Sequence, residues 1–260
     1  MYLLPDLRDC TRFLFMLCLA FAPLGVVAQE AADPPLFVQV RTTYVQPGMA
    51  AKYEEFLTRL NAARQKAGDD RATFVTRSRT GRSAYYSITL YDRYSDLQGS
   101  GLSSLFDERE LVQIRGLISQ SVRDGMVQTF FARQDLGRQA GVAPLEADAF
   151  LTLLVTVEPG QGFAYEQALM KLVEATEKVA PDLGWIAYAP DMSSANVYRF
   201  VIPWSWETID NPGMSIPERY TKAFGEAEGI KWLNQLNEGI ESVTTTMTIP
   251  RQDLSYTPAE

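Results

Sequence analysis

The sequence predicts an α+β protein made of two tandem βαββαβ units packed sheet to sheet. Three observations predict it. Strand and helix patterns follow the same order twice along the chain. Matching residues recur at offsets of 112 and then 118. An identical tetrapeptide, Arg-Gln-Asp-Leu, stands at 133–136 and again at 251–254. Recurrence in matching element order is the mark of an internal repeat.

The first unit, 37–141, opens with the strand pattern FVQVRTTYV from Phe37, which meets a Pro47-Gly48 turn. A helix follows, with Tyr53, Phe56, Leu57, Leu60, Ala63 and Ala67 at spacings of three and four. Such spacing makes one buried stripe. Gly68, Asp69 and Asp70 close the helix. Strands are expected at 73–78 and 84–91, joined by a Thr80-Gly81 turn. A second helix carries Leu111, Ile114, Ile118 and Val122, and a last strand is expected over 126–132.

The second unit, 142–260, repeats this plan. Val157-Glu158-Pro159-Gly160 lies 112 residues after Val45-Gln46-Pro47-Gly48, and Tyr165-Glu166 after Tyr53-Glu54. The same offset sets Tyr86 against Tyr198 in the third strands. Six inserted residues around 211–217 then change the offset to 118, matching Phe106 with Phe224 and Ile118 with Leu236. The inserted loop, with two prolines, is a candidate lid or partner contact.

A βαββαβ unit of this size is the ferredoxin-like arrangement. With its strand, Pro47-Gly48 turn and helix beginning Tyr53-Glu54-Glu55-Phe56, the chain resembles the dimeric α/β-barrel superfamily. The resemblance implies an intramolecular pseudo-dimeric α/β barrel enclosing a cleft or lumen. It covers nearly all of the chain beyond the leader and indicates a fold more than an activity. Members of that superfamily include cofactor-independent monooxygenases, haem-degrading enzymes, chlorite dismutase-like proteins and binding or stress proteins.

The N-terminus reads differently. Residues 13–28 (FLFMLCLAFAPLGVVA) carry no charge, and Pro23 and Gly25 interrupt them. The run is short for a membrane span, which takes about 20 apolar residues. It reads as a signal peptide over 1–28, with Val26 and Ala28 at the −3 and −1 positions and a short linker over 29–36. Asp6 and Asp9 offset Arg8 and Arg12, so an uncleaved N-terminal anchor is the alternative. The expected location is periplasmic or secreted, with no stable span in the mature form.

Both cysteines, Cys10 and Cys18, fall inside the leader, and the chain has no histidine. A mature chain without either residue excludes disulfides, thiolate nucleophiles, Cys/His zinc sites, imidazole triads and haem held by His or Cys. No metal site and no cofactor is therefore expected. Residues 37–141 hold 15 basic and 11 acidic residues, net +4; residues 142–260 hold 7 and 17, net −10. Unlike charges favour pairing of the halves and argue against a nucleic-acid partner.

Alternation along the strands divides the sheet faces. The apolar sets, Tyr86, Ile88 and Leu90 with Tyr198, Phe200 and Ile202, are expected under the helices. Facing the lumen are then Tyr85, Ser87, Thr89 and Tyr91 with Val197, Arg199 and Val201, together with Gln39, Arg41 and Thr43 and, in the second unit, Leu151, Leu153 and Val155. All four tryptophans lie in the second unit, with Trp204 and Trp206 adjacent to the insertion. Aromatic rings near a cleft can stack on a flat ligand or simply fill the core. Gly160-Gln161-Gly162 lacks the third glycine of a phosphate-binding loop and reads as a turn. The arginines at 77, 79 and 82 cluster on one hairpin; they could form an anion site or a docking patch, and the preferred reading is a solvated hairpin tip.

The candidate ligand-binding residues are Arg41, Tyr85, Ser87, Tyr91, Arg199, Trp204 and Trp206; no catalytic residue is singled out. The preferred reading is a non-catalytic exported protein whose cleft between unlike halves takes a small, partly apolar ligand or a protein partner. The alternatives are a cofactor-independent monooxygenase-like enzyme with a Tyr/Arg/Trp-lined lumen and a structural or assembly protein. A lumen packed shut favours the last; an open pocket holding Arg41, Tyr85, Tyr91 and Arg199 favours the other two. Oligomeric state cannot be read from these residues.

Overall fold

The computed structural model describes residues 37–98, 101–191 and 196–258. The leader, its cleavage point near Ala28 and the linker 29–36 lie outside the described residues. The first half of the barrel holds β1 (Phe37–Val45), α1 (Ala50–Ala67), β2 (Thr73–Ser78), β3 (Ala84–Tyr91), α2 (Leu102–Leu105), α3 (Glu108–Ser121) and β4 (Val122–Ala132). The second holds β5 (Ala149–Val157), α4 (Gly162–Val179), β6 (Ile186–Pro190), β7 (Val197–Trp204), α5 (Trp206–Asp210), α6 (Ile216–Phe224), α7 (Glu226–Glu238) and β8 (Ile240–Pro250).

Local chemistry accounts for the ends of these elements. Gly48 takes φ 75° in the turn before α1, and Gly68 takes φ 67° after it. There its N–H reaches the carbonyls of Arg64 and Gln65, which needs a left-handed residue. Asp107 with Glu110, and Ser215 with Glu218, form reciprocal capping boxes that start α3 and α6. The strand expected over 126–132 begins at Val122, which has extended backbone and caps α3 through its N–H to Ile118.

The eight strands close into a barrel in the order β1-β3-β2-β8-β5-β7-β6-β4, and every neighbouring pair is antiparallel. Four strands come from each half, and two seams of three residue pairs each, β2–β8 and β4–β6, join the two sets. Closure removes the open edges that an isolated four-stranded sheet would present.

The lumen is filled by side chains. Val38, Val40, Phe130, Tyr86 and Ile88 meet Tyr188 and Val197 across it. Phe74 meets Phe150 edge-on at 5.5 Å, beside Val201 and Ile186. The other face of each sheet lies under helices. Val45, Val75 and Tyr85 pack against Tyr53, Phe56 and Leu57 of α1 and Ile114 of α3. Val155, Tyr198 and Phe200 pack against Tyr165, Leu169 and Leu172 of α4, with Tyr220 of α6 and Leu236 of α7.

Two facing assignments are therefore reversed from those read in the sequence. Tyr85, Ser87, Thr89 and Tyr91, with Gln39, Arg41 and Thr43, face the helices, while Tyr86 and Ile88 face the lumen. Leu153 and Val155 likewise pack under helices. In the first half the polar side of β3 faces α1 and its apolar side the lumen, and between the third strands the repeat slips by one residue. Tyr188 pairs with Arg199, eleven residues on, whereas Thr76 pairs with Tyr86, ten residues on. The β6–β7 connection is one residue longer, so Tyr198 corresponds in position to Tyr85 and not to Tyr86. A slip of one residue moves every side chain to the opposite face.

The two Arg-Gln-Asp-Leu segments form single helical turns at Gln134–Leu136 and Gln252–Leu254. Each leaves its own half. Leu136 is buried in the core under α4, and Leu254 in the core under α1.

Candidate functional site

One cavity opens outside the lumen. A cavity of about 650 Å³ lies between α1 and the helix-facing side of β1 and β3. Alternation gives it a polar floor: Gln39, Arg41 and Thr43 of β1 lie beside Thr89, Ser87 and Tyr91 of β3. Its roof is apolar, from Phe56, Leu57 and Leu60 of α1, Leu102 and Leu105 of α2, and Ile118 of α3. A concave site with an apolar wall and a few polar groups on one side is the usual form of a small-molecule site.

The polar groups of the floor differ in how they are satisfied. Tyr53 projects from α1 to the hydroxyls of Thr43 and Ser87, and burial raises its pKa above the usual 10.0 despite these hydrogen bonds and the nearby Arg41. At one end Arg64 donates to Asp69 at 2.9 Å and to Thr73 at 2.8 Å, and its guanidinium lies 4.1 Å from the centre of the Tyr256 ring. Arg71 also donates to Asp69 at 2.9 Å. Burial opposes ionisation of Asp69, but hydrogen bonds from Arg71 and Arg64 hold its carboxyl below the usual range. Two arginines thus share one carboxylate. Arg41 has no ion pair or side-chain hydrogen bond among the described residues, and neither do Gln39 and the Tyr91 hydroxyl. Burial raises the Tyr91 pKa, against the pull of Arg71, Arg64 and Arg41. The result is a positively biased floor with free donors facing an apolar roof.

The matching space in the second half is closed. Leu151, Leu153 and Val155 occupy the positions of Gln39, Arg41 and Thr43, and Phe200 and Ile202 those of Ser87 and Thr89. Tyr220, 118 residues after Leu102, is fully buried and donates to the Ala168 carbonyl at 2.7 Å. The insertion read as a lid leads into α6, which packs as part of this core.

Of the candidate residues, Arg41, Ser87 and Tyr91 line one cavity. Tyr85 lies behind it under α1 and donates to Glu54. Arg199 is enclosed in the lumen, with its guanidinium 5.9 Å from the Tyr86 ring centre. Trp204 ends β7, while Trp206 is half exposed beneath Arg79 at 4.8 Å. The tryptophans do not gather around a ligand space: Trp185 is buried and donates to the Leu136 carbonyl, and Trp232 packs on the core under α4. Sequence reading set Gln39 and Thr43 beside Arg41 but facing the lumen, and it missed Tyr53, Arg64 and the α1 roof as pocket walls. The signal was present in the three polar residues alternating along β1, opposite those of β3.

Among the described residues no helix is long and apolar enough to cross a membrane, and no group of carboxylates could hold a metal ion. The chain has no histidine to hold a haem iron in this cavity.

No family model matches the sequence, and no curated protein matches it. Solved structures match in fold. An anthrone oxidase-like protein is 11% identical over 88% of this chain and 95% of its own, with a TM-score of 0.56. A candidate monooxygenase from Fusobacterium nucleatum subsp. nucleatum is 11% identical over 84% and 93%, with a TM-score of 0.54. A mutant chlorite dismutase from Candidatus Nitrospira defluvii, in complex with cyanide, is 8% identical over 84% and 92%, with a TM-score of 0.51. These neighbours belong to the dimeric α/β-barrel superfamily, and the present chain has a fold of that kind. At such identities the likeness concerns the fold alone.

Proposed function

We propose that this chain is an exported binding protein that holds one small, partly apolar molecule carrying a negative or strongly accepting group. The observation that carries this reading is the cavity under α1, with the unpaired Arg41 beside Gln39 and Tyr91 and an apolar roof opposite. A guanidinium without a protein acceptor favours a carboxylate or similar oxyanion, which it binds through paired N–H donors. The apolar roof favours a hydrocarbon or aromatic body on the same molecule. The binding space belongs to one half and not to the cleft between them, since side chains fill the lumen.

The same reading includes a tandem duplication, with halves at 37–141 and 142–260 pairing as an intramolecular pseudo-dimer, and export through the leader. Support for the duplication comes from repeated contacts: Tyr85 with Glu54 and Tyr198 with Glu166, Arg251 with Glu54 and Arg133 with Glu166. One half then keeps an open polar site and the other a filled one.

A monooxygenase-like enzyme is the second reading, favoured by the Tyr53 hydroxyl placed between Thr43 and Ser87 in the cavity wall and by the neighbours described as monooxygenases. Oxygen uptake with a bound aromatic ligand separates the two readings. The binding proposal is tested by native mass spectrometry of protein purified from its own host. A stoichiometric small molecule in the parent, absent from Ser87→Phe, supports it; ligand-free parent protein sinks it.

A further inference from the structure

We propose that the barrel lumen is a second, separate site, which binds one small monovalent anion on the guanidinium of Arg199. Arg199 is 3% exposed and points from β7 into the lumen, on the face opposite Tyr198 and Phe200. Its guanidinium lies 5.9 Å from the Tyr86 ring centre, and it has no ion pair and no hydrogen bond among the described residues. The titratable groups facing it are two tyrosines, Tyr86 of β3 and Tyr188 of β6, both held neutral by burial. Among the described residues no carboxylate acts on it; its electrostatic neighbours are these two tyrosines. Burial draws the Arg199 pKa down only to about 10, so the side chain is a cation at neutral pH.

A buried cation without a counter-charge is unfavourable, and protein interiors answer it with a paired charge or a bound ion. Other luminal polar groups are neutral, the hydroxyls of Thr42, Thr76 and Thr152 and the amide of Gln128 among them; they can donate to an anion but cannot neutralise a cation. Tyr86 and Tyr188 beside Arg199 belong to one apolar cluster with Val38, Val40, Phe130 and Val197, and a lumen packed in this way favours an occupant of ion size. One positive charge restricts it to a single negative one. Halide and nitrate meet both conditions. The site is independent of the cavity under α1, which lies on the other face of the sheet.

The test uses the full chain dialysed into sodium gluconate and titrated with sodium bromide while thermal unfolding is followed. The proposal expects a saturable rise in the midpoint that persists in Arg41→Leu and is lost in Arg199→Met, whose apolar side chain suits the same surroundings. An unsaturable rise, or the same rise in Arg199→Met, overturns it. Should Arg199→Met fail to fold, bromide-soaked crystals of the parent give the answer by anomalous scattering. A peak within hydrogen-bond distance of Arg199 supports the site, and peaks confined to the surface overturn it.

Discussion

Glu54 on α1 and Arg251 after β8 are 197 residues apart and joined by a hydrogen bond of 2.5 Å. The same carboxylate accepts from the Tyr85 hydroxyl, so one side chain ties a helix, a strand and the base of the Gln252–Leu254 turn together. Glu166, Arg133 and Tyr198 repeat the arrangement in the other half, with Arg133 donating at 3.1 and 3.0 Å and Tyr198 at 2.8 Å. Each Arg-Gln-Asp-Leu turn thus locks onto the helix of the half it does not belong to.

This lock predicts a stability coupling. In a double-mutant cycle of Glu54→Gln and Arg251→Met, followed by urea unfolding, the interaction term should be about 1.5–3 kcal/mol, the range for hydrogen bonds to charged groups. The hydrogen bond from Arg251 holds the Glu54 carboxyl below its usual 4.5. A depressed folded pKa contributes stability above the unfolded value and loses it as pH falls through the folded one. The coupling should therefore be complete at pH 7 and fade below about pH 4.5. A coupling near zero at pH 7, or one that grows in acid, would contradict the lock.

A second prediction concerns the helix crossing that fills the second half. A Cβ on Gly229 of α7 would come within 2.8 Å of the Thr221 backbone of α6. Backbone cannot yield as a flexible side chain does, so Gly229→Ala should cost about 1–3 kcal/mol, the typical penalty of overpacking. Thermal unfolding measures it, with Gly116→Ala as the control because nothing lies near its Cβ.

Alkaline conditions should unfold the protein through its tyrosines. Burial raises the pKa of Tyr85, Tyr165, Tyr198 and Tyr220 above the usual 10.0, helped at Tyr85 and Tyr198 by the carboxylates they hydrogen-bond. For a raised folded pKa the stabilisation is full below the unfolded value and is lost as pH rises beyond it. Stability should fall above pH 10, and phenolate absorbance should appear in two phases, the later one coinciding with loss of secondary structure. A single phase near pH 10 with the fold intact would refute this.

Much of the fold was legible because its signals are local. The Pro47-Gly48 turn, the Tyr53-Phe56-Leu57-Leu60 stripe and the left-handed Gly68 act within a few residues of one another. Facing was not legible in the same way. Assigning the apolar residues of β3 to the helices is the ordinary rule, and here it fails because the floor under α1 is polar. Setting Tyr86 against Tyr198 strengthened the error, since one extra residue in the β6–β7 connection leaves no mark in composition. Arg41, Ser87 and Tyr91 were still grouped correctly, because strand alternation holds whichever face is chosen. Tyr53, Arg64 and the α1 roof were missed because their partners come from elements distant in sequence. Arg199 was separated from the group by the same slip.

The central claim is that the cavity under α1 binds a small, partly apolar anion through Arg41. Titration with 1-anilinonaphthalene-8-sulfonate, an aromatic body bearing one sulfonate, tests it most directly when the parent is compared with Arg41→Leu and Ser87→Phe. Both substitutions install the residue already found at the matching position of the closed half, Leu153 or Phe200. Loss of a charge-assisted hydrogen bond, roughly 1.5–3 kcal/mol, corresponds to about tenfold or more in affinity. The account predicts one saturable site in the parent, about tenfold or greater weakening in Arg41→Leu, and loss of binding in Ser87→Phe. Equal affinity in all three proteins would place the dye elsewhere and contradict the claim.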